Sequence, residues 1–348
     1  MDKILLPIET SPLFLSDFDR IGCVNIIRAQ TRAAGKDVTP WLIGQMANLQ
    51  LKANLFDNNN PNLIVRYSNQ NVFLKKYYQS DNRLPFWDRQ TVLDLLIDTL
   101  CKGEYVCPSL DTRHLPDDAS CGAFSRIIEG MIYGVDKAKK EFYYIRFLPS
   151  NPVTLCVASF DEMIKAISEK ENHRVEWDSM RLNPDYSFEL DEVALCKDLF
   201  DFITPRDKFS PVQHMSTPLN GIDYMSAFRD YLCRVGIDYE YIDYRLYTSI
   251  YDFQTLECMR FKYLKDNGYI TEDTFDAFAA RLPNLSKQFL IGCLSYNQKH
   301  NAGIIKEIIG VYDQIVEIDL RLSEAMWRAL KARIPVEEPE KLPFPYII

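Results

Sequence analysis

Residues 126–135, RIIEGMIYGV, and 141–148, EFYYIRFL, are two apolar runs joined by the short charged segment DKAKK. Apolar side chains fall at both odd and even places in each run, so neither strand has a face suited to water. A hairpin of that kind belongs in the middle of a sheet covered on both sides. It needs partner strands and covering helices, and the neighbouring sequence offers both. EYVCPSLDT (104–112) and VTLCVAS (153–159) read as further strands. RQTVLDLLIDTLCKG (89–103) reads as an amphipathic helix stopped by Gly103, and SFDEMIKAISEK as a helix whose Ser159 and Glu162 have capping-box spacing.

Before the hairpin, ILLPIE (4–9) is a short strand or extended segment. GCVNIIRAQTRAAG (22–35) is a helix with Val24, Ile27 and Ala34 turned inward and Gly35 as its C-terminal cap. VTPWLIGQMANLQLK (38–52) reads as one helix, with Thr39 at the N-cap and Pro40 at the first position. NNNPN is a loop; NLIVRY and NVFLKKYY are candidate strands.

From about residue 190 the period changes to 3.6. Six helical segments follow: DEVALCKDLFDFI, MSAFRDYLCRV, YRLYTSIYDFQTLECMRFKYLKDNG, TEDTFDAFAARL, LSKQFLIGCLSYNQKH and IIKEIIGVYDQIVEIDLRLSEAMWRAL. Gly268 ends one and Thr271 caps the next. Tyr244, Tyr247 and Tyr251 share a face, a pattern that more often packs helices than cradles a ligand. The expected organisation is an α+β domain over 1–205, a linker or long loop over 206–221, a helical domain over 222–335 and an extended tail over 336–348.

The chain has 348 residues, 47% of them hydrophobic, enough for sizeable cores. Its net charge of −9 leaves no surplus of Lys and Arg for phosphate backbones, which argues against nucleic acid as a partner. No apolar run reaches the roughly 20 residues of a membrane span. Nine scattered cysteines show no C-x-x-C pair, so neither a zinc site nor a disulfide framework is indicated. Reduced thiols and a start without a signal-peptide pattern imply a cytoplasmic protein. No glycine-rich phosphate loop, G-x-S-x-G or H-E-x-x-H occurs, and no cofactor is implied.

The residues with chemical potential are few. Cys23 is placed at the start of the first helix, where the dipole lowers a thiol pKa and favours the thiolate. The alternative is a small buried residue. His114, in LDTRHLPDD, lies among Asp111, Asp117 and Asp118. A carboxylate there would orient the ring as a base; the alternative is an exposed loop histidine. Glu129, inside an apolar strand, either lines a cavity or pairs with Arg126 or Arg146. Asp117 and Tyr133 complete the pocket candidates.

ILLPIE, Cys23 opening a helix, GEYVCPSLDTRHLP (103–116), IEGMIYGVDKAKKEFYYIRF (128–147), SFDEMIKAI (159–167) and LECMRFKYLKDNGYI (256–270) together resemble papain-like proteins related to the butirosin acyltransferase N-terminal domain. Such proteins occur in bacterial natural-product gene clusters, often beside nonribosomal peptide synthetases. The resemblance implies a papain-like cysteine-protease fold with a central antiparallel sheet and a Cys–His–Asp site. It also implies transfer of an acyl or aminoacyl group, or its hydrolysis, from an acyl or peptidyl carrier protein, with a small amine or peptide as the other substrate. A thiolate exchanges readily with a thioester, and the acyl-enzyme can then be aminolysed.

Cys23 matches the nucleophile. The family's histidine falls where this chain has Ile128 and Glu129, and its orienting acid falls at Arg146. Two readings follow from that departure. Either His114, oriented by Asp111 or Asp117, serves as the base for Cys23, or the fold is a catalytically inactive binding protein that docks on a synthetase or carrier domain.

Overall fold

The computed structural model describes residues 2–15, 18–44, 47, 49–52, 64–67, 81–84, 88–148, 151–169, 175–182, 187–204 and 219–334. The chain forms an α+β protein of two compact units. One comprises residues 1–37 and 71–187, the other 38–70 and 188–348. The boundary expected near 205 therefore falls at 187/188, and residues 38–70 belong with the helical unit. Residues 205–218, most of the expected linker, and the tail 336–348 lie outside the described residues, as do NNNPN and NVFLKKYY.

The first unit is built on a seven-stranded antiparallel sheet. Its strands are β1 (Lys3–Leu5), β4 (Asp81–Leu84), β5 (Tyr105–Asp111), β6 (Ile127–Asp136), β7 (Glu141–Leu148), β8 (Asn151–Ser159) and β9 (Val175–Met180). The order is β4-β9-β5-β6-β7-β8. β1 pairs with the end of β6 that β5 does not cover: Leu5 lies opposite Gly134, and Val106 opposite Ile132. The β6–β7 hairpin is central, as its two-faced apolar pattern requires. A register shift between Ile132 and Gly134 resets the alternation of β6, so Ile132 and Val135 both enter the core although they are three residues apart. Gly134 is needed at that place, because a Cβ there would sit 2.6 Å from Leu5 Cδ2 and 2.7 Å from the Ile4 carbonyl oxygen.

Two helices cover one face of the sheet, α3 (Arg89–Cys101) and α4 (Phe160–Ser168). α3 contributes Val92, Leu96 and Leu100 to the core; α4 contributes Met163, Ala166 and Ile167. They meet Val106, Leu110, Phe142, Tyr144, Ala158 and Trp177 from the strands. Both bonds of the Ser159–Glu162 capping box are made. The long helix α1 (Phe18–Ala33) packs against β6. Gly35 follows it at φ +67°, the left-handed conformation its capping role needs, but Ala34 is exposed rather than inward.

In the second unit, the expected helix over 38–52 resolves into a six-residue helix, α2 (Thr39–Gly44), and the strand β2 (Leu49–Lys52). β2 lies between β3 (Ile64–Tyr67) and β10 (Leu219–Asn220) in a three-stranded antiparallel sheet. Five longer helices follow: α5 (Glu192–Ile203), α6 (Gly221–Arg234), α7 (Tyr244–Asp266), α8 (Asp276–Lys299) and α9 (Ala302–Lys331).

Gly268 ends α7 at φ +71°, as its sequence position suggests. Thr271, however, does not cap α8, which begins at Asp276 and runs unbroken through Pro283. The two segments read as separate helices are therefore one. Leu282, Leu285 and Phe289 are buried along a single face of α8, and that packing carries the helix past the proline. The tyrosine stripe of α7 is graded: Tyr247 is buried, Tyr251 half-buried and Tyr244 exposed.

Candidate functional site

α1 starts at Phe18, so Cys23 is its sixth residue, not its first. The unpaired N–H groups of a helix belong to its first four residues, and the effect of the dipole fades within one turn. Cys23 therefore lacks the electrostatic placement that the sequence suggested. It is 1% exposed, within a run from Gly22 to Ile27 that is buried throughout. Asn25 in the same run ties α1 to the first segment, accepting from Glu9 N–H at 2.9 Å and donating to Glu9 O at 2.5 Å.

β5 delivers Asp111 to the top of the sheet, and a 3-10 turn, Thr112–His114, follows directly. Asp111 is fully buried, but its carboxylate does not orient His114. It accepts from Arg113 N–H (3.0 Å), Arg113 Nη2 (3.2 Å) and Ser125 Oγ (2.8 Å). The carboxylate beside the imidazole is Glu169, with Oε2 3.6 Å from Nε2. That separation is an ion-pair distance, too long for a hydrogen bond. Glu169 also receives Arg89, and its carbonyl oxygen accepts from Arg113 Nη2. His114 and Asp111 thus have different neighbours, Glu169 and Arg113 with Ser125.

The dominant feature is a knot of charge that the sequence did not announce. Arg146, on β7, is 7% exposed. Its Nη1 donates to Asp118 Oδ2 at 2.5 Å, and its Nη2 to the Asp117 carbonyl oxygen at 2.7 Å. Arg126 Nη2 reaches the same Asp118 oxygen at 2.9 Å. Asp118 Oδ1 accepts from Ser120 N–H and Oγ, at 2.9 and 2.7 Å. Thr112 and Ser120 hydroxyls lie 2.5 Å apart, and Thr112 N–H donates to Arg126 O at 2.9 Å.

Asp117 accepts from Tyr144 Oη at 2.7 Å and lies 3.5 Å from Arg146 Nε. Burial works to raise the Asp118 pKa, but Ser120 and then the two guanidinium groups outweigh it and hold the carboxyl below its usual range. Loop 112–126 is thereby fastened to the central strands. The Asp and Arg density of DTRHLPDDAS…SR was visible in sequence; the partner Arg146, some 28 residues away, was not.

The other candidates separate. Glu129 is exposed and lies opposite Ser109 on β5, and Arg126 and Arg146 both reach Asp118. Ile128 is half-buried opposite Leu110, at the rim of the core. Tyr133 is half-buried with its ring 6.4 Å from that of Tyr143. The thiol beside the knot is Cys156 of β8, which no motif singled out. Burial, then Asp117, pushes its pKa up to about 12, so it stays protonated near neutral pH.

Arg146 lies opposite Gly130 on β6, so Ile128 and Glu129, the residues at the histidine place that the resemblance assigns, are two and one residues along that strand from its partner. The group at the acid place is a cation, held by Asp117 and Asp118 of the loop. Among the described residues no group of three or more His, Cys, Asp and Glu could hold a metal ion. Likewise, no described helix is long and apolar enough to cross a membrane.

The fold defines an α+β protein of two units, one built on an antiparallel sheet that carries the knot of Asp117, Asp118, Arg126 and Arg146, the other largely helical. No family model matches the chain, and no curated protein matches it either.

Proposed function

We propose that the sheet unit is a papain-like scaffold kept for binding, which docks on a synthetase or carrier domain of peptide or polyketide assembly. The single observation that carries this reading is Arg146. It stands where the resemblance puts the orienting acid, and it is buried and committed to Asp118 and Asp117. A cation fixed there disfavours an imidazolium beside it. The papain-like assignment itself is supported by the N-terminal helix α1 packed on β6 of an antiparallel sheet.

The rival reading is an acyl or aminoacyl transferase acting through Cys23. It needs a thiolate and a base in reach. Cys23 is 1% exposed within α1, and Asp111, the acid expected to orient His114, is held by Arg113 and Ser125 instead. The burial of the thiol and the loss of that orienting acid weigh against it.

One pair of measurements separates the two. The full chain is tested for capture of purified carrier and synthetase domains, and wild type and Cys23→Ala are compared for acyl transfer from a loaded carrier protein. Binding without Cys23-dependent transfer is expected. Transfer that disappears in Cys23→Ala would establish the enzyme instead, and capture of none of the domains would remove the docking reading.

A further inference from the structure

Between α7 and α9 of the helical unit, two carboxylates and one guanidinium are buried together. Glu257 and Arg260 of α7 and Asp319 and Ser323 of α9 are all fully buried, and Gln254 of α7 is 1% exposed. Glu257 is fully served: one oxygen accepts from Arg260 Nη1, the other from Ser323 Oγ at 2.6 Å. Arg260 Nε donates to the Ile43 carbonyl oxygen at 2.8 Å. Asp319 has only Gln254 Nε2, 3.5 Å from its Oδ2. Its Oδ1 has no donor, and neither has Gln254 Oε1.

The group therefore holds two acidic side chains against one cation, with two buried acceptors unserved. An ionised carboxylate in that setting has lost its hydration with little in return. One proton removes the surplus charge and supplies an O–H for which the Gln254 oxygen is the acceptor once the amide is turned end for end.

We propose that Asp319 is a protonated carboxylic acid in the folded protein, a buried proton-binding site that links the stability of the helical unit to pH. Glu257 is the better served acid: burial raises its carboxyl too, but Arg260 and Ser323, donating to its two oxygens, oppose that rise. Burial, reinforced by Glu257, pushes the Asp319 carboxyl well above the usual range, with Gln254 and Arg260 opposing. Cys258 of α7 and Tyr312 of α9 lie near enough that an ionised Asp319 would raise both. The other buried ionisable groups on the helices packed against α9 (Asp252 and Tyr247 on α7, Asp198 and Cys196 on α5, Tyr224 and Tyr231 on α6, Cys293 and Tyr296 on α8) are not among those that shift it.

The sign follows from linkage. An unfolded aspartate releases its proton near pH 4, whereas the folded one retains it, so the stabilisation is complete below about pH 4 and is lost as pH rises towards the folded pKa. Across that window the folding constant falls by up to about tenfold per pH unit relative to a protein without the acid.

Asp319→Asn, neutral and of the same shape, supplies the comparison. Denaturant unfolding of the full chain is followed by far-ultraviolet circular dichroism from pH 5 to 7. The folding constant of Asp319→Asn relative to wild type is expected to climb with pH, approaching tenfold per unit. A ratio independent of pH overturns the proposal. If the variant does not fold, carbon-13 spectra of aspartate-labelled wild type decide the matter. One aspartate carboxyl resonance is expected at the protonated position at pH 7; finding every one ionised overturns the proposal.

Discussion

Replacing Arg146 with methionine deletes the guanidinium from the knot while keeping an unbranched stem on β7. The arginine side chain is 9% exposed, and the Asp118 side chain 4%. Deleting one member of a buried ion pair typically costs about 3–5 kcal/mol, because the other charge is stranded. Here Asp118 keeps the Ser120 N–H and hydroxyl and the Arg126 guanidinium. Those donors hold the expected loss to about 2–4 kcal/mol, still a large share of a domain's net stability of about 5–15 kcal/mol.

Denaturant unfolding, read by tryptophan fluorescence with Trp177 of β9 as the buried reporter in the sheet unit, measures it. Arg146→Met is compared with Asp118→Asn and with the double variant. The two losses should fall short of adding by about 1–3 kcal/mol, since each single change already breaks the same contact. Because the Asp118 carboxyl is held below its usual range, the stabilisation is present above about pH 4 and is lost as pH falls through the folded pKa. The gap between wild type and Arg146→Met should therefore narrow in acid. A loss below about 0.5 kcal/mol, or strict additivity, would refute the claim that the knot fastens loop 112–126.

Three further outcomes follow from local geometry. Gly134→Ala should cost about 1–3 kcal/mol, because its methyl group meets the backbone of β1 as well as Leu5; easier proteolysis of the N-terminal segment would accompany a lower melting temperature. Ser159→Ala removes one arm of the capping box and should lower stability by about 1 kcal/mol in thermal unfolding. Pro283→Ala restores a backbone donor in the interior of α8 at an exposed position, and should stabilise the helical unit by about 1–3 kcal/mol in a denaturant series.

Local sequence carried much of the secondary structure. Gly35, Gly103 and Gly268 adopt the left-handed geometry that ends helices, and Ser159 with Glu162 closes its box, because those roles depend on a few adjacent residues. The two-faced β6–β7 hairpin likewise reads as central wherever its partners come from. The candidate site was less legible. Cys23 was assigned one residue into its helix when five residues of α1 precede it, and that difference removes the argument for a thiolate. His114 and Asp111 are close in sequence, yet each found a different partner, Glu169 and Arg113, because a 3-10 turn between strand and loop sends the two side chains to different groups.

The sequence by itself determined a class of element at most positions, nine cysteines without C-x-x-C spacing, and the absence of the usual nucleotide and metalloprotease patterns. Only the tertiary structure decided that Arg146 meets Asp118, that one Asp319 oxygen is left without a donor, that α8 runs through Pro283, and that residues 38–70 join the helical unit. The reason is range. Caps and periodicity are set by neighbours within a turn or two, whereas charge pairing and burial are set by residues that only the folded chain brings together, and there an opposite charge or an apolar face outweighs a weak local preference.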